Sequence, residues 1–219
     1  MEWWAEGPRS ERLRATHLES AHMGYSQSYI AVFGKNPNDV LAILELRRTG
    51  EWEDFPASPC IAASLPGSWF LIVINGAEHE ILSEASLSCL SADCDVVTCT
   101  VEEHVMCSEA TFWKSGRRGW SVTHDAQQGA RHLATVGELP DAFAPICERL
   151  LARQQMAGGG KADVDYLFDI PVALAMSFCG YRYDRETAGL PAGSFERMES
   201  IDQKVTRKSP LKRLFSQWL

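Results

Sequence analysis

The sequence predicts an α+β fold with a ferredoxin-like βαββαβ antiparallel sheet core, a β-hairpin that extends the sheet, and additional C-terminal helices. Between residues 28 and 101, strand-like and helical patterns follow one another in the order strand, helix, strand, strand, helix, strand. The 219-residue chain is 45% hydrophobic and 23% charged, which is enough apolar material for a buried core. Right-handed crossovers would place both helices on one face of a four-stranded sheet.

The first strand and helix are predicted from residues 28–35 and 36–50. The strand, "SYIAVFGK", is rich in β-branched and aromatic residues. In the helix, Asn36 can cap the first N–H groups and Pro37 fits the first turn. Gly50 is suited to the left-handed residue that ends a helix.

A hairpin, a second helix and a fourth strand complete the predicted core. The strands 60–65 and 68–75 flank Pro66-Gly67, a typical tight-turn pair. Residues 81–93 have a weaker helical pattern, and residues 94–101 return to a strand.

A further hairpin is predicted from residues 104–114 and 120–125, joined by a loop at 115–119. Strand alternation then puts four side chains on one face of the sheet: Phe112, Trp120, Val122 and His124. Asp125 points to the other face, where it begins a sequence that resembles a capping box with Gln128. The hairpin is therefore expected to add an aromatic face to the core.

Two helices are predicted after this hairpin, at 139–156 and 168–180. The second is apolar on every side and so should be buried, with Asp169 as its cap and Gly180 at its end. As a whole, the chain divides into three predicted parts: a loose N-terminal extension (1–22), a single α+β domain (23–184), and a linker with a C-terminal tail (185–219).

Composition favours a cytoplasmic protein that does not bind nucleic acid. Residues 1–202 contain 16 basic and 29 acidic residues, a balance that repels phosphate. No apolar run approaches the roughly 20 residues of a membrane-spanning helix, and the N-terminus lacks the apolar stretch of a signal peptide. Seven cysteines, an odd number, fit reduced thiols. No cofactor-binding motif is present.

The candidates for catalysis are His124, Glu102 and His104, because an imidazole with carboxylates could bind a divalent ion or transfer protons. Strand alternation lets at most Glu102 and His104 converge. Structural roles are favoured for His124 and for Asp125. The cysteine spacings do not fit a zinc site.

The tail "SPLKRLFSQWL" (209–219) predicts a basic amphipathic helix. Its apolar residues recur at helical spacing, and the candidate partner-binding residues are Leu211, Leu214, Phe215 and Trp218. Such an element can dock on its own acidic body, enter a groove of a partner, or lie on anionic lipid.

The stretches "VEEHVMCSEATFWKSGRRGWSVTHDAQQG" and "DVDYLFDIPVALAMSFCGYRYD" resemble those of small bacterial proteins without an assigned function, over roughly residues 23–185. The resemblance implies no activity and no site residues. We expect a non-catalytic protein-binding or regulatory module. The alternative is a small metal-dependent hydrolase that uses His124 with Glu102 and His104.

Overall fold

A computed structural model describes residues 24–201, which form a nine-stranded antiparallel sheet with four α-helices. The strands are β1 (Ser26–Phe33), β2 (Leu46–Glu53), β3 (Cys60–Leu65), β4 (Trp69–Ile74), β5 (Asp95–Glu102), β6 (Cys107–Lys114), β7 (Arg117–Asp125), β8 (Ala134–Gly137) and β9 (Phe195–Ser200). The helices are α1 (Pro37–Ile43), α2 (Glu84–Leu90), α3 (Phe143–Met156) and α4 (Asp169–Cys179).

The strands lie in the order β2-β9-β3-β4-β1-β5-β6-β7-β8. Strand β1 is central and pairs with β4 on one side and with β5 on the other. Among the described strands, β2 and β8 form the two edges. The chain therefore builds the sheet outward from its middle, and the last strand, β9, enters between β2 and β3.

Both faces of the sheet are buried under helices. On the front face, side chains such as Tyr29, Leu71 and Val97 pack against α3 and α4. On the back face, Ile30 and Ile72 belong to a second core with α1 and α2. Neighbouring residues of one strand thus enter different cores, which explains why the central strands are apolar without interruption.

The predicted ferredoxin-like βαββαβ core is wrong as a description of the fold. The sheet has nine strands rather than four with an added hairpin, and its helices lie on both faces. The physical reason is the two-sided apolar character of the central strands, because a single helical layer would leave one apolar face in water.

The predicted helix at 36–50 is correct only in its first half. Asn36 caps α1 by accepting a hydrogen bond from the Asn38 N–H, but the helix ends at Ile43. Glu45 then takes a positive φ of 54° and turns the chain into β2. Strand β2 pairs with β9, which lies in the segment predicted as a linker. Three cross-strand ion pairs join them: Arg47–Glu199, Arg48–Glu196 and Arg197–Glu51.

The β6–β7 hairpin has a shorter turn than predicted. Lys114 pairs directly with Arg117, and the two turn residues, Ser115 and Gly116, both have positive φ. The register then shifts by one residue between Phe112 and Trp113, so that Phe112 pairs with Trp120 instead of Val122. Because this register differs by an even number of residues, the predicted faces are preserved. The four side chains predicted to share one face do so, and both aromatic rings pack against Phe178 of α4.

The two C-terminal helices form close to their predicted positions. Helix α4 ends at Gly180, which has a φ of 77° as expected for a left-handed stop. Asp169 does not cap this helix. It lies in the first turn and accepts a hydrogen bond from the buried Arg182.

Strand β8 depends on Gly137, which has a φ of 82°. A Cβ atom at this position would overlap the carbonyl oxygen of Gly119 in β7. We expect Gly137→Ala to lower the free energy of unfolding by about 2–3 kcal/mol, since it adds a backbone clash to an unfavourable φ. Urea denaturation measures the change.

Gly34→Ala is the matched control for this substitution. Gly34 has a similar φ of 87°, but a Cβ there meets nothing within 4 Å. The control should cost only about 1 kcal/mol, the conformational term alone. Equal losses for the two variants would contradict the close approach of β8 to β7.

Candidate functional site

His124 is fully buried on the front face of the sheet and is held by two hydrogen bonds. Its Nδ1 lies 2.7 Å from the carbonyl oxygen of His132, and its Nε2 lies 2.9 Å from Oδ2 of Asp165. In the neighbouring strand, the Ser108 hydroxyl donates to the carbonyl oxygen of Phe168 at 2.7 Å. These contacts, which we call the polar clasp (His124, Asp165 and Ser108), attach the segment before α4 to strands β6 and β7.

The hydrogen-bond chemistry of the polar clasp requires a proton between His124 and Asp165. A carbonyl oxygen only accepts, so Nδ1 of His124 donates to His132. An ionised carboxylate also only accepts, so Nε2 must donate as well, unless the carboxyl group itself carries the proton. Asp165 meanwhile accepts from the N–H groups of Leu167 and Phe168 through Oδ1. Both side chains are therefore committed to structural bonds.

The structure does not bring His124, Glu102 and His104 together. Glu102 is in register with Cys107 and Asp125, one row away from the row that holds His124. Alternation along the strands puts these rows on opposite faces of the sheet. His104 stays near Glu102, with 4.0 Å between its Nε2 and the carboxylate. Among residues 24–201, no three His, Cys, Asp or Glu side chains are arranged to hold a metal ion.

Asp125 has the predicted capping role. Its carboxylate accepts from the Gln127 N–H at 3.0 Å and from the Gln128 side chain at 2.8 Å. The Gln128 bond is the larger cause of a pKa below the ordinary aspartate value. The dipeptide His124-Asp125 is thus divided between a buried clasp and an exposed turn.

The seven cysteines are free thiols, and most are made unreactive by burial. Desolvation raises the pKa of Cys60 and of Cys99 to about 12. Burial also raises the pKa of four others: Cys94, Cys107, Cys147 and Cys179. Since the thiolate is the nucleophile, none of these six is activated. Cys89 is the exposed one.

A groove opens between the loop that precedes β8 and the C-terminal half of α3. Its volume is about 370 Å³. The apolar lining includes Leu133, Leu151 and Leu167, and Arg131 is the charged residue in the lining. Leu133 leads directly into β8, so the groove and this edge of the sheet form one surface. We call it the β8 surface: strand β8, Ala134–Gly137, together with the groove at Leu133, Leu151 and Leu167.

Two of these features have no local signal in the sequence. Asp165 lies 41 residues from His124, so their pairing depends on where the chain places α4. The groove joins three separate segments. The candidate tail residues Leu211, Leu214, Phe215 and Trp218 lie outside the described residues, as does the predicted extension 1–22.

Comparisons with known proteins place no further constraint on the site. No family model, curated protein or solved structure matches the chain. Between residues 24 and 201, no helix has the length and apolarity needed to cross a membrane.

The hydrogen bond between His124 and Asp165 in the polar clasp should stabilise the fold. We expect His124→Ala or Asp165→Ala to lower the free energy of unfolding by about 3 kcal/mol, because each leaves a polar partner unsatisfied. In the double variant the loss should fall short of the sum by about 1–3 kcal/mol. Urea denaturation of the four proteins gives this coupling, and strict additivity would contradict the bond.

Thiol labelling should separate Cys89 from the other cysteines. At pH 8, below their raised pKa values, these six groups remain neutral thiols, so we expect one fast-reacting thiol, Cys89, in the folded protein. All seven cysteines should react in urea. The control, Cys89→Ser, should remove the fast phase; a fast phase that persists would contradict this assignment.

Proposed function

We propose that this protein is a non-catalytic protein-binding or regulatory module, with the β8 surface as its main docking site. The observation that carries the proposal is the open edge of β8. Among residues 24–201 this strand pairs only with β7, so no described strand lies beside its outward N–H and C=O groups. An extended segment of a partner can add there as a further strand, a common mode of peptide recognition.

The side chains of β8 leave this edge accessible. All four residues of the strand are exposed, and Val136 keeps 60% of its surface in contact with solvent. Its sequence, "ATVG", contains no charge and no proline. Charged side chains, prolines and bulges are the usual devices that keep an edge from accepting another strand. Strand β8 has none of these three, and its length of four residues is its one protective feature.

The opposite edge of the sheet differs from β8 in its charge and in its register. Strand β2 carries Arg47, Arg48 and Glu51, and all three form ion pairs with β9. Its register with β9 also shifts between Arg48 and Trp52. Such an edge resists the addition of a strand. The contrast favours β8 as the binding edge.

The groove supports the same proposal. It adjoins β8 through Leu133 and offers an apolar pocket for a side chain of the added segment. One wall is held firmly, because the Gln154 side chain donates to the carbonyl oxygen of Gly159 and accepts from the N–H of Tyr166. A fixed pocket limits the entropy lost on binding.

The buried polar side chains are all used in hydrogen bonds or ion pairs, and this favours a role without catalysis. His124 is enclosed and fully bonded, and the buried Arg182 is paired with Asp169 and Asp184. Within residues 24–201, each buried side-chain nitrogen or oxygen has a hydrogen-bond partner. These groups stabilise the fold, whereas a catalytic group needs access to a substrate.

The C-terminal tail is the second contact in this proposal. Its predicted apolar stripe, Leu211, Leu214, Phe215 and Trp218, suits a groove on a partner, and the five basic residues between Lys204 and Arg213 suit an acidic surface. This contact remains a prediction from the sequence.

The proposal is tested by Val136→Lys, which introduces a charge of the kind that protects natural sheet edges. Tagged protein is incubated with lysate of the source cells, and the recovered proteins are identified by mass spectrometry. We expect partners recovered with the original protein to be reduced at least tenfold with Val136→Lys, a change of about 1.4 kcal/mol in binding.

Two further variants complete this experiment. Val105→Lys makes the same substitution at another exposed valine, in the β5–β6 turn, and should leave the recovered set unchanged. Deletion of 204–219 should remove partners that depend on the tail. A recovered set that is the same for Val136→Lys and Val105→Lys would contradict binding at β8.

A further inference from the structure

We infer that the strand added at β8 is the β8 strand of a second copy of this chain, so that two molecules form one continuous antiparallel sheet. This inference rests on the proposed function, because it uses the same edge. It goes further by identifying the partner and the symmetry of the complex.

A two-fold axis perpendicular to the sheet produces this arrangement. Such an axis runs the two β8 strands in opposite directions and joins front face to front face. The same backbone groups of Ala134–Gly137 then serve as donors and acceptors in both copies. The contact is self-complementary and closed, which is the usual form of a homodimer.

The composition of β8 permits the close approach of two identical edges. Residues 24–201 contain 13 basic and 24 acidic residues, so two copies repel each other at most orientations. Strand β8 is an uncharged part of this surface. On the axis, Thr135 or Val136 meets its own counterpart, and both Thr–Thr and β-branched pairs are favourable across antiparallel strands.

The charges that flank β8 complement each other in this arrangement. Arg131 precedes the strand and Glu138 follows it, and both side chains are exposed. Within the described part of the chain, neither forms an ion pair. Because the strands are antiparallel, the Arg131 end of one copy lies beside the Glu138 end of the other. The two-fold axis creates this contact twice.

The position of the C-terminal segment favours a second copy over the tail of the same molecule. The described chain ends at Ile201, directly after β9. Seven strand spacings separate β9 from β8, or roughly 34 Å at 4.8 Å per strand. A tail that reached β8 in the same molecule would have to cross the sheet, whereas a second copy brings a matching strand directly.

Two charge-reversal variants, measured separately and as a mixture, test this inference. The association of the full chain is measured by sedimentation over a wide range of concentration. The original protein should be dimeric. Arg131→Glu and Glu138→Arg should each weaken dimerisation at least about tenfold, because each places like charges together twice. An equimolar mixture of the two variants should dimerise again, because each reversed charge then faces an opposite one.

The mixture distinguishes an intermolecular contact from a change in the fold. Loss of a contact within one molecule would not be repaired by adding another variant. Val136→Lys should be monomeric and Val105→Lys dimeric, and circular dichroism checks that all variants are folded. An original protein that is monomeric throughout, or a mixture that stays monomeric, would overturn the inference.

The outcomes also separate this inference from the proposed function. If the original protein is monomeric but Val136→Lys still loses its captured partners, the second copy is wrong as the occupant and β8 binds a different protein. If Val136→Lys changes neither self-association nor capture, both the inference and the β8 docking site fail.

Discussion

The four central strands, β3, β4, β1 and β5, are apolar on both faces, and this constraint determines where the rest of the chain lies. Ile30 and Ala31 are neighbours in β1, yet they enter different cores and neither is exposed to solvent. A sheet of this kind needs a layer on each side. Helices α1 and α2 supply one layer from the short connections, while α3 and α4 supply the other from the C-terminal half.

The front layer combines apolar packing with a few directed polar bonds. Phe112 and Trp120 pack against Phe178 and fix the body of α4 on the sheet. The polar clasp then sets where the helix begins, because Asp165 bonds both to His124 and to the N–H groups of Leu167 and Phe168. Apolar contacts alone would permit α4 to slide along the sheet, whereas hydrogen bonds have a required geometry. The buried histidine therefore gives the layer a defined position.

Local sequence patterns predict the features whose causes are local. Asn36 and Pro37 mark the start of α1, Gly180 marks the end of α4, and alternation assigns His124 and Asp125 to different faces. The predicted length of the β6–β7 loop is wrong, but the shorter turn and the register shift beside Trp113 together give an even shift, which does not alter the faces.

Distant pairing explains what the sequence could not show. Residues 46–50 read as the end of a helix. The features that favour a strand there, the pairing with β9 and its ion pairs, come from a segment about 150 residues later. The same limit applies to the site. In the sequence, Asp165 looks like an ordinary helix-capping residue. Its bond to His124 depends on the position of α4 on the sheet, which the local sequence does not show. Strand β8 is four residues long and has no alternation of apolar and polar residues, so the sequence does not predict a strand there. Its open edge is seen only once it is paired with β7.

The difference between the two edges has a consequence for the size of any assembly. A sheet that accepted strands at both edges could polymerise head to tail into a filament, since each added molecule would present a new edge. Here the ion pairs and the register shift of β2 oppose the addition of a strand at one edge. The two-fold contact inferred at β8 pairs the other edge. Association of this kind terminates after a single step and leaves no template for further chains.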